Sequence, residues 1–156
     1  MAERPITYRG VVRTEQCDHM GHMNVMWYVG KFDEATWQLF SSLGLSRARL
    51  QKENRGLVAV EQHIEYKREL RAGDALTVRS TMVEAKGKVV RFTHEMTNDE
   101  TGEIAAVTHL VGVYFDTVAR KSDVLPADFC ERAAKMIAAL SAGAASSAQS
   151  RQAGER

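Results

Sequence analysis

Asp18-His19-Met20-Gly21-His22-Met23-Asn24 runs straight into Val25-Met26-Trp27-Tyr28-Val29 and an apolar stretch that lasts to Leu43. This junction decides the fold. Val25, Tyr28/Val29, Phe32, Ala35/Thr36, Leu39 and Leu43 recur at helical spacing. Met26, Trp27, Trp37 and Phe40 spread the apolar surface most of the way round, and a helix apolar on nearly all sides is a buried one. Asn24 is the expected N-cap and Gly44 the expected stop. Polar, titratable residues packed this densely at the mouth of a buried helix are costly unless something uses them.

The flanking sequence reads as strands. Upstream, Ile6 to Arg13 predicts a strand and Glu15 to Met23 a loop. Downstream, Ser46 to Glu53 predicts a short helical turn. After Gly56 the period drops to two: Val58, Val60, Gln62, Ile64 and Tyr66 fall on one face, Glu61, His63 and Glu65 on the other. Leu76, Val78 and Met82 mark the next strand, Lys86-Gly87-Lys88 a tight hairpin, and Val90, Phe92, His94 and Met96 a third. Ile104 to Phe115 is apolar on both faces and predicts a central strand. Pro126 opens a last helix through Leu140. The Ala-, Ser-, Gly- and Gln-rich segment from Ser141 is expected to be disordered. Residues 1–140 thus form one α+β domain and residues 141–156 a tail. The simplest packing is one antiparallel sheet around one long helix. Its outer face, with His63, Arg79 and Arg91, is either solvated or an oligomer contact.

Bulk properties narrow the function. At 156 residues, 44% hydrophobic and 26% charged with a net charge of +1, the chain is too balanced for a dedicated nucleic-acid binder. Cys17 and Cys130 form no CxxC pair, which fits a reducing compartment. Met1-Ala2-Glu3-Arg4-Pro5 lacks a signal peptide's apolar run, and no stretch approaches the ~20 apolar residues that span a bilayer. The expectation is a cytoplasmic protein without nucleic-acid or membrane partners. Serine-hydrolase elbows, Walker loops, dinucleotide fingerprints and HExxH motifs are missing.

The polar cluster supports two readings. In one, Asp18 or Asn24 merely caps the helix. In the other, Asp18 faces a substrate carbonyl held by the free first-turn amides of Val25 and Met26, and attacks it or activates a water. His22 either orients substrate or hydrogen-bonds a loop carbonyl. His19 and His22 lack a strong third ligand, so no metal site is expected. Glu61 and Glu65 read as solvated or at an interface, His94 and His109 as satisfied core polars. Lys86, Lys88 and Arg91 read first as an ordinary charged hairpin.

The run Asp18-x-x-Gly21-His22-x-Asn24-x-x-x-Tyr28, with Phe32, Glu34 and Ala35 and the later Tyr66 and Gly73-Asp74, resembles the hotdog-fold acyl-CoA thioesterases of the 4-hydroxybenzoyl-CoA thioesterase type. The resemblance covers roughly Tyr8 to Phe115. It implies a hotdog fold whose protomers pair so that two sheets become one, as a homodimer or a dimer of dimers. It implies hydrolysis of an acyl-CoA without metal or organic cofactor. By position, Asp18 matches the catalytic carboxylate and Val25 the residue whose backbone amide polarises the carbonyl. His22, Asn24 and Tyr28 match positions that line the pocket or brace the loop. Lys88 and Arg91 are the basic residues suggested for CoA. Met20, Met23 and Met26 with Trp27 suggest an apolar acyl pocket, aromatic or medium-chain. Two rival readings remain: a hotdog enoyl-CoA or acyl carrier protein dehydratase, against which Met23 stands where a catalytic His is needed, and a non-catalytic acyl-CoA-binding protein.

Overall fold

The computed structural model describes residues 3–153, with side chains through residue 144. Its elements are β1 (Ile6–Val11), α1 (Val25–Ser42), α2 (Arg47–Glu53), β2 (Arg55–Tyr66), β3 (Ala75–Lys86), β4 (Val89–Asn98), β5 (Ile104–Asp116), β6 (Lys121–Ser122) and α3 (Ala127–Ala153). The sheet is antiparallel in the order β1-β3-β4-β5-β2, with β6 on β5. The α+β expectation of one long helix on an antiparallel sheet holds. β2 does not sit beside its sequence neighbour β3. It crosses to pair β5, which leaves β1 and β2 as the free edges.

α1 begins where its sequence says. Asn24 is extended (φ −69°, ψ 146°) and its side-chain oxygen accepts from the Met26 amide, the bond a helix N-cap makes. Ser46 caps α2 in the same way through the Arg49 amide. Arg49 then forks onto both carboxylate oxygens of Asp128, at 2.8 and 2.9 Å, tying α2 to α3.

The interior divides into layers. One apolar cluster joins Leu39 and Phe40 of α1 to Met82, Val90, Phe92 and Leu110 of the sheet and to Phe129 and Ala133 of α3. A second joins Tyr28, Phe32 and Ala35 to Leu76, Val78, Met96, Ala105 and Ala106. Between them, α1 and four strands each place a buried polar residue: Thr7 (β1), Thr36 (α1), Ser80 (β3), His94 (β4) and Thr108 (β5). Four of these form one chain. Thr7 and Ser80 hydroxyls are 2.6 Å apart, Ser80 lies 2.6 Å from His94 Nδ1, and His94 Nε2 lies 2.9 Å from the Thr36 hydroxyl. Thr36 donates to the Phe32 carbonyl, so it accepts from His94, which fixes the neutral imidazole with its proton on Nε2. Burial pushes the His94 pKa down to about 4.

Four expectations change. Residues 141–153 continue α3 rather than forming a disordered tail, because alanine, which dominates there, is the best helix former; residues 154–156 lie outside the described residues. α1 is not buried all round: Val25, Met26, Val29 and Trp37 stay exposed, because the sheet ends at β2 beside them. The alternation along β2 breaks at a bulge between Ala59 and Glu61. Gln62, Ile64 and Tyr66 share the face of Thr108, as expected, but Val58 moves to the opposite face and is exposed. His109 is not a core polar; it stands exposed beside His63, with ring centroids 6.4 Å apart.

Candidate active site

The loop before α1 is shaped by backbone bonds that the sequence makes possible. The Asp18 amide donates to the His22 carbonyl (3.2 Å) and the Gly21 amide to the Asp18 carbonyl (3.0 Å). Gly21 has φ +81°, which a residue with a Cβ adopts at a cost. Met23, expected near the acyl group, is buried in the core, and its amide donates to the Leu70 carbonyl at 2.7 Å. The loop is thereby fastened to the connection between β2 and β3.

Asp18 and Asn24 form the centre. Asn24 donates from its side-chain nitrogen to Asp18 Oδ2 at 2.7 Å, and the Met20 amide donates to Asp18 Oδ1 at 2.9 Å. These two bonds, the Asn24 one foremost, hold the Asp18 carboxyl below the usual carboxylate range. It is ionised at neutral pH. The same Asn24 side chain caps α1 through Met26, and the Trp27 amide donates to the Asn24 carbonyl. Met26, one of the two amides expected to face a carbonyl, is therefore occupied. Among the described residues the Val25 amide has no hydrogen-bond partner, which leaves it a free donor at the helix mouth.

His22, Val25 and Tyr28 line one cavity of about 200 Å³, together with Tyr66, Lys67 and Arg68. His22 lies 3.6 Å from Glu69 and its Nδ1 is 3.4 Å from the Met23 carbonyl. Tyr28 is buried, its ring edge-on to Tyr66, and its hydroxyl donates to the Arg68 carbonyl at 3.4 Å. Burial raises its pKa, so it stays protonated. Asn24 and His22 thus brace the loop, Tyr28 braces the connection after β2, and His22 and Tyr28 also face the cavity.

Lys88 and Arg91 stand elsewhere. The loop is anchored just before β3 begins, whereas Lys88 follows its last residue, roughly 35 Å away at strand spacing. Lys88 donates to Ser122, and Arg91 pairs with Glu84 at 3.3 Å. The basic residues beside the loop are Lys67 and Arg68, which directly follow Tyr66 and were passed over. Met20 is exposed rather than pocket-forming, and Trp27 packs against the inner cluster.

A second, apolar cavity of about 110 Å³ opens farther along the seam between α1 and β2, walled by Val29, Trp37, Phe40 and Ala59, with Asp33 and Gln62 at hand. Its space comes from two small residues. Ala59 pairs with Gly112 across β2 and β5, and a Cβ on Gly112 would lie 2.9 Å from Val90. Sequence reasoning missed this cavity, because its depth depends on a cross-strand pair.

Comparison with known proteins agrees with this architecture. The chain is 28% identical over 109 residues to the L-carnitine dehydrogenase/betainyl-CoA thioesterase of Agrobacterium fabrum, a match that covers 70% of this chain and 22% of the length of that relative. Its fold is similar to the protein SAV2348 of Staphylococcus aureus, solved in complex with CoA (TM-score 0.80, 23% identity, 88% of this chain and 87% of that one). It is also similar to Slr0204, a 1,4-dihydroxy-2-naphthoyl-CoA thioesterase from Synechocystis (TM-score 0.73, 22% identity, 83% and 95% covered). The sheet curled on its long helix is the hotdog fold. The sequence pattern of the thioesterase-like superfamily matches residues 12–133, and the chain belongs to that superfamily.

Proposed function

We propose that the protein hydrolyses the thioester of an acyl-CoA to free acid and CoA. One observation carries the reading. A single side chain, Asn24, holds an ionised carboxylate and caps the helix whose first amide, Val25, is left without a partner. A free amide at a helix N-terminus suits a carbonyl oxygen that gains negative charge. The thioester carbonyl accepts from Val25. Either Asp18 attacks its carbon, the C–S bond breaks and water hydrolyses the resulting anhydride, or Asp18 takes a proton from the water that attacks. Both routes release CoA as the thiol and need no metal or organic cofactor. Lys67 and Arg68 offer cationic groups for the phosphates of CoA at the rim of the same cavity.

The superfamily and the named activities of its relatives, among them a betainyl-CoA thioesterase, support hydrolysis. A second copy of the chain is the proposed partner. β2 is a free edge strand with Val58 and Val60 exposed, and such an edge is a template for pairing. Among the described residues no helix is long and apolar enough to cross a membrane.

The test is release of free thiol from a panel of short, branched, long and aromatic acyl-CoAs, with and without chelator. Turnover that survives chelation and is lost in Asp18→Asn supports the reading. Tight CoA binding without turnover across the panel favours a non-catalytic binding protein instead.

A further inference from the structure

We propose that His63 and His109 chelate one divalent transition-metal ion on the face of the sheet turned away from α1. The ion belongs to the class that imidazole suits, such as Ni²⁺, Cu²⁺ or Zn²⁺. The two residues stand directly opposite each other on β2 and β5, their ring centroids 6.4 Å apart and the rings tilted by 35°. Thr108 and Leu110, on either side of His109, are buried, and Leu110 packs with Leu39 and Phe40 of α1. Side chains alternate along a strand, so His109 and its partner His63 project from the other face. Both are exposed there. Among the described residues neither imidazole makes a hydrogen bond or an ion pair, whereas both ring nitrogens of His94 are engaged.

Distance decides whether one ion can serve both rings. A metal–imidazole bond of about 2.0–2.1 Å places the ion about 3.2 Å from the ring centroid. Two rings on one ion therefore stand about 4.5–5.2 Å apart at right or tetrahedral angles, and about 6.4 Å apart when collinear. The observed 6.4 Å closes to the bent geometries by small turns about χ1 and χ2 of two exposed side chains. No backbone movement is needed, because cross-strand Cβ atoms are only about 4.5–5.5 Å apart. Charge also favours a cation. Glu65 follows His63 on the same face of β2, and its carboxyl is held below the usual carboxylate range, first by Lys67 and to a lesser extent by His63 and His109. Glu61 flanks His63 on the other side, opposite Val111. The cations of this face are committed: Lys67 to Glu65 at 2.8 Å and Arg91 to Glu84 at 3.3 Å. Among the described residues no group of three or more His, Cys, Asp and Glu side chains is placed to hold a metal. The protein thus supplies two ligands, water fills the other positions, and the ion stays exchangeable. This site lies across the sheet from the Asp18 loop and takes no part in thioester chemistry.

The experiment is calorimetric titration of the full chain with Ni²⁺ in a buffer that does not bind metal, and one ion per chain is expected. His63→Ala and His109→Ala alter exposed side chains and leave the fold intact. Each should weaken Ni²⁺ binding by about a hundredfold or more, since a chelate needs both rings. The double variant should lose little beyond either single one, the non-additivity of two groups that act as one. His19→Ala should bind as the native chain does. Ni²⁺ should also raise the native Tm, by linking β2 to β5, and leave the Tm of both single variants unchanged. Four results overturn the proposal: no binding, single variants that bind at native affinity, half an ion per chain, or binding lost in His19→Ala. None of these readouts involves a thioester, so the outcome is independent of the hydrolase reading.

Discussion

Two polar constellations reach α1, and they are built to opposite ends. At the helix mouth, Asp18, Asn24 and the loop amides satisfy one another but leave the Val25 amide open. In the middle of the core, Thr7, Ser80, His94 and Thr36 form a closed chain that ends on the Phe32 carbonyl, and no buried side-chain polar atom among the described residues lacks a partner. A buried polar group left unpaired costs free energy, so a complete chain serves stability and orientation. An unpaired donor at the surface of a helix mouth costs little and is available to a ligand. The difference separates groups that hold the fold from groups that do chemistry.

The comparison breaks most visibly at Asp18. Asp18→Asn should lower kcat by about a hundredfold or more with little change in Tm, since the side chain is only half-buried and only loop contacts are altered. Equal losses of activity and stability would erase the distinction. His94→Leu should do the reverse. It strands the Ser80 and Thr36 hydroxyls and should cost about 2–4 kcal/mol in denaturant unfolding, while the folded protein keeps its kinetic constants.

The pH dependence sharpens the same contrast. The His94 pKa is about 4 in the folded chain and about 6.5 when unfolded, so the unfolded state binds the extra proton between these values. Stability is therefore complete above about pH 6.5 and declines as pH falls toward 4, by about 3 kcal/mol in all. The difference between native and His94→Leu unfolding curves isolates this contribution, and a constant difference from pH 4 to 7 would refute it. The smallest effect belongs to Asn24→Ala. Loss of the cap should cost about 1 kcal/mol. Loss of its bond to Asp18 should also move the acid limb of the pH–rate profile upward, toward the ordinary carboxylate range.

Local chemistry explains what the sequence made legible. Asn24 at the start of α1, the turn at Gly87 and the apolar strand ending in Asp116 were readable because caps, tight turns and periodicity act over a few residues. Asp18 and Asn24 were readable as a pair, because both lie within one short motif. The pairing of β2 with β5 was not, since it joins residues as far apart in sequence as Arg55 and Asp116, across two intervening strands. Nor was the bulge between Ala59 and Glu61, which turns Val58 outward while its composition still reads as regular strand. Lys88 and Arg91 look suitable by charge, yet nothing local says which end of a hairpin meets the loop. Trp37 read as part of a helix apolar on nearly all sides, and only the edge of the sheet beside it reveals an open wall.

The polar layer through the core has an evolutionary consequence. It separates the Phe40–Phe92–Phe129 cluster from the Tyr28–Phe32–Met96 cluster, so few side chains belong to both. Substitutions that share no partners combine additively. Changes beneath α3 can therefore accumulate, or be engineered for hardiness, without disturbing the reactive loop at the other end. Meanwhile, the loop's surroundings can drift toward new substrates without unsettling the half that secures α2 and α3. One imidazole between two hydroxyls thus divides a small domain into halves that can change independently.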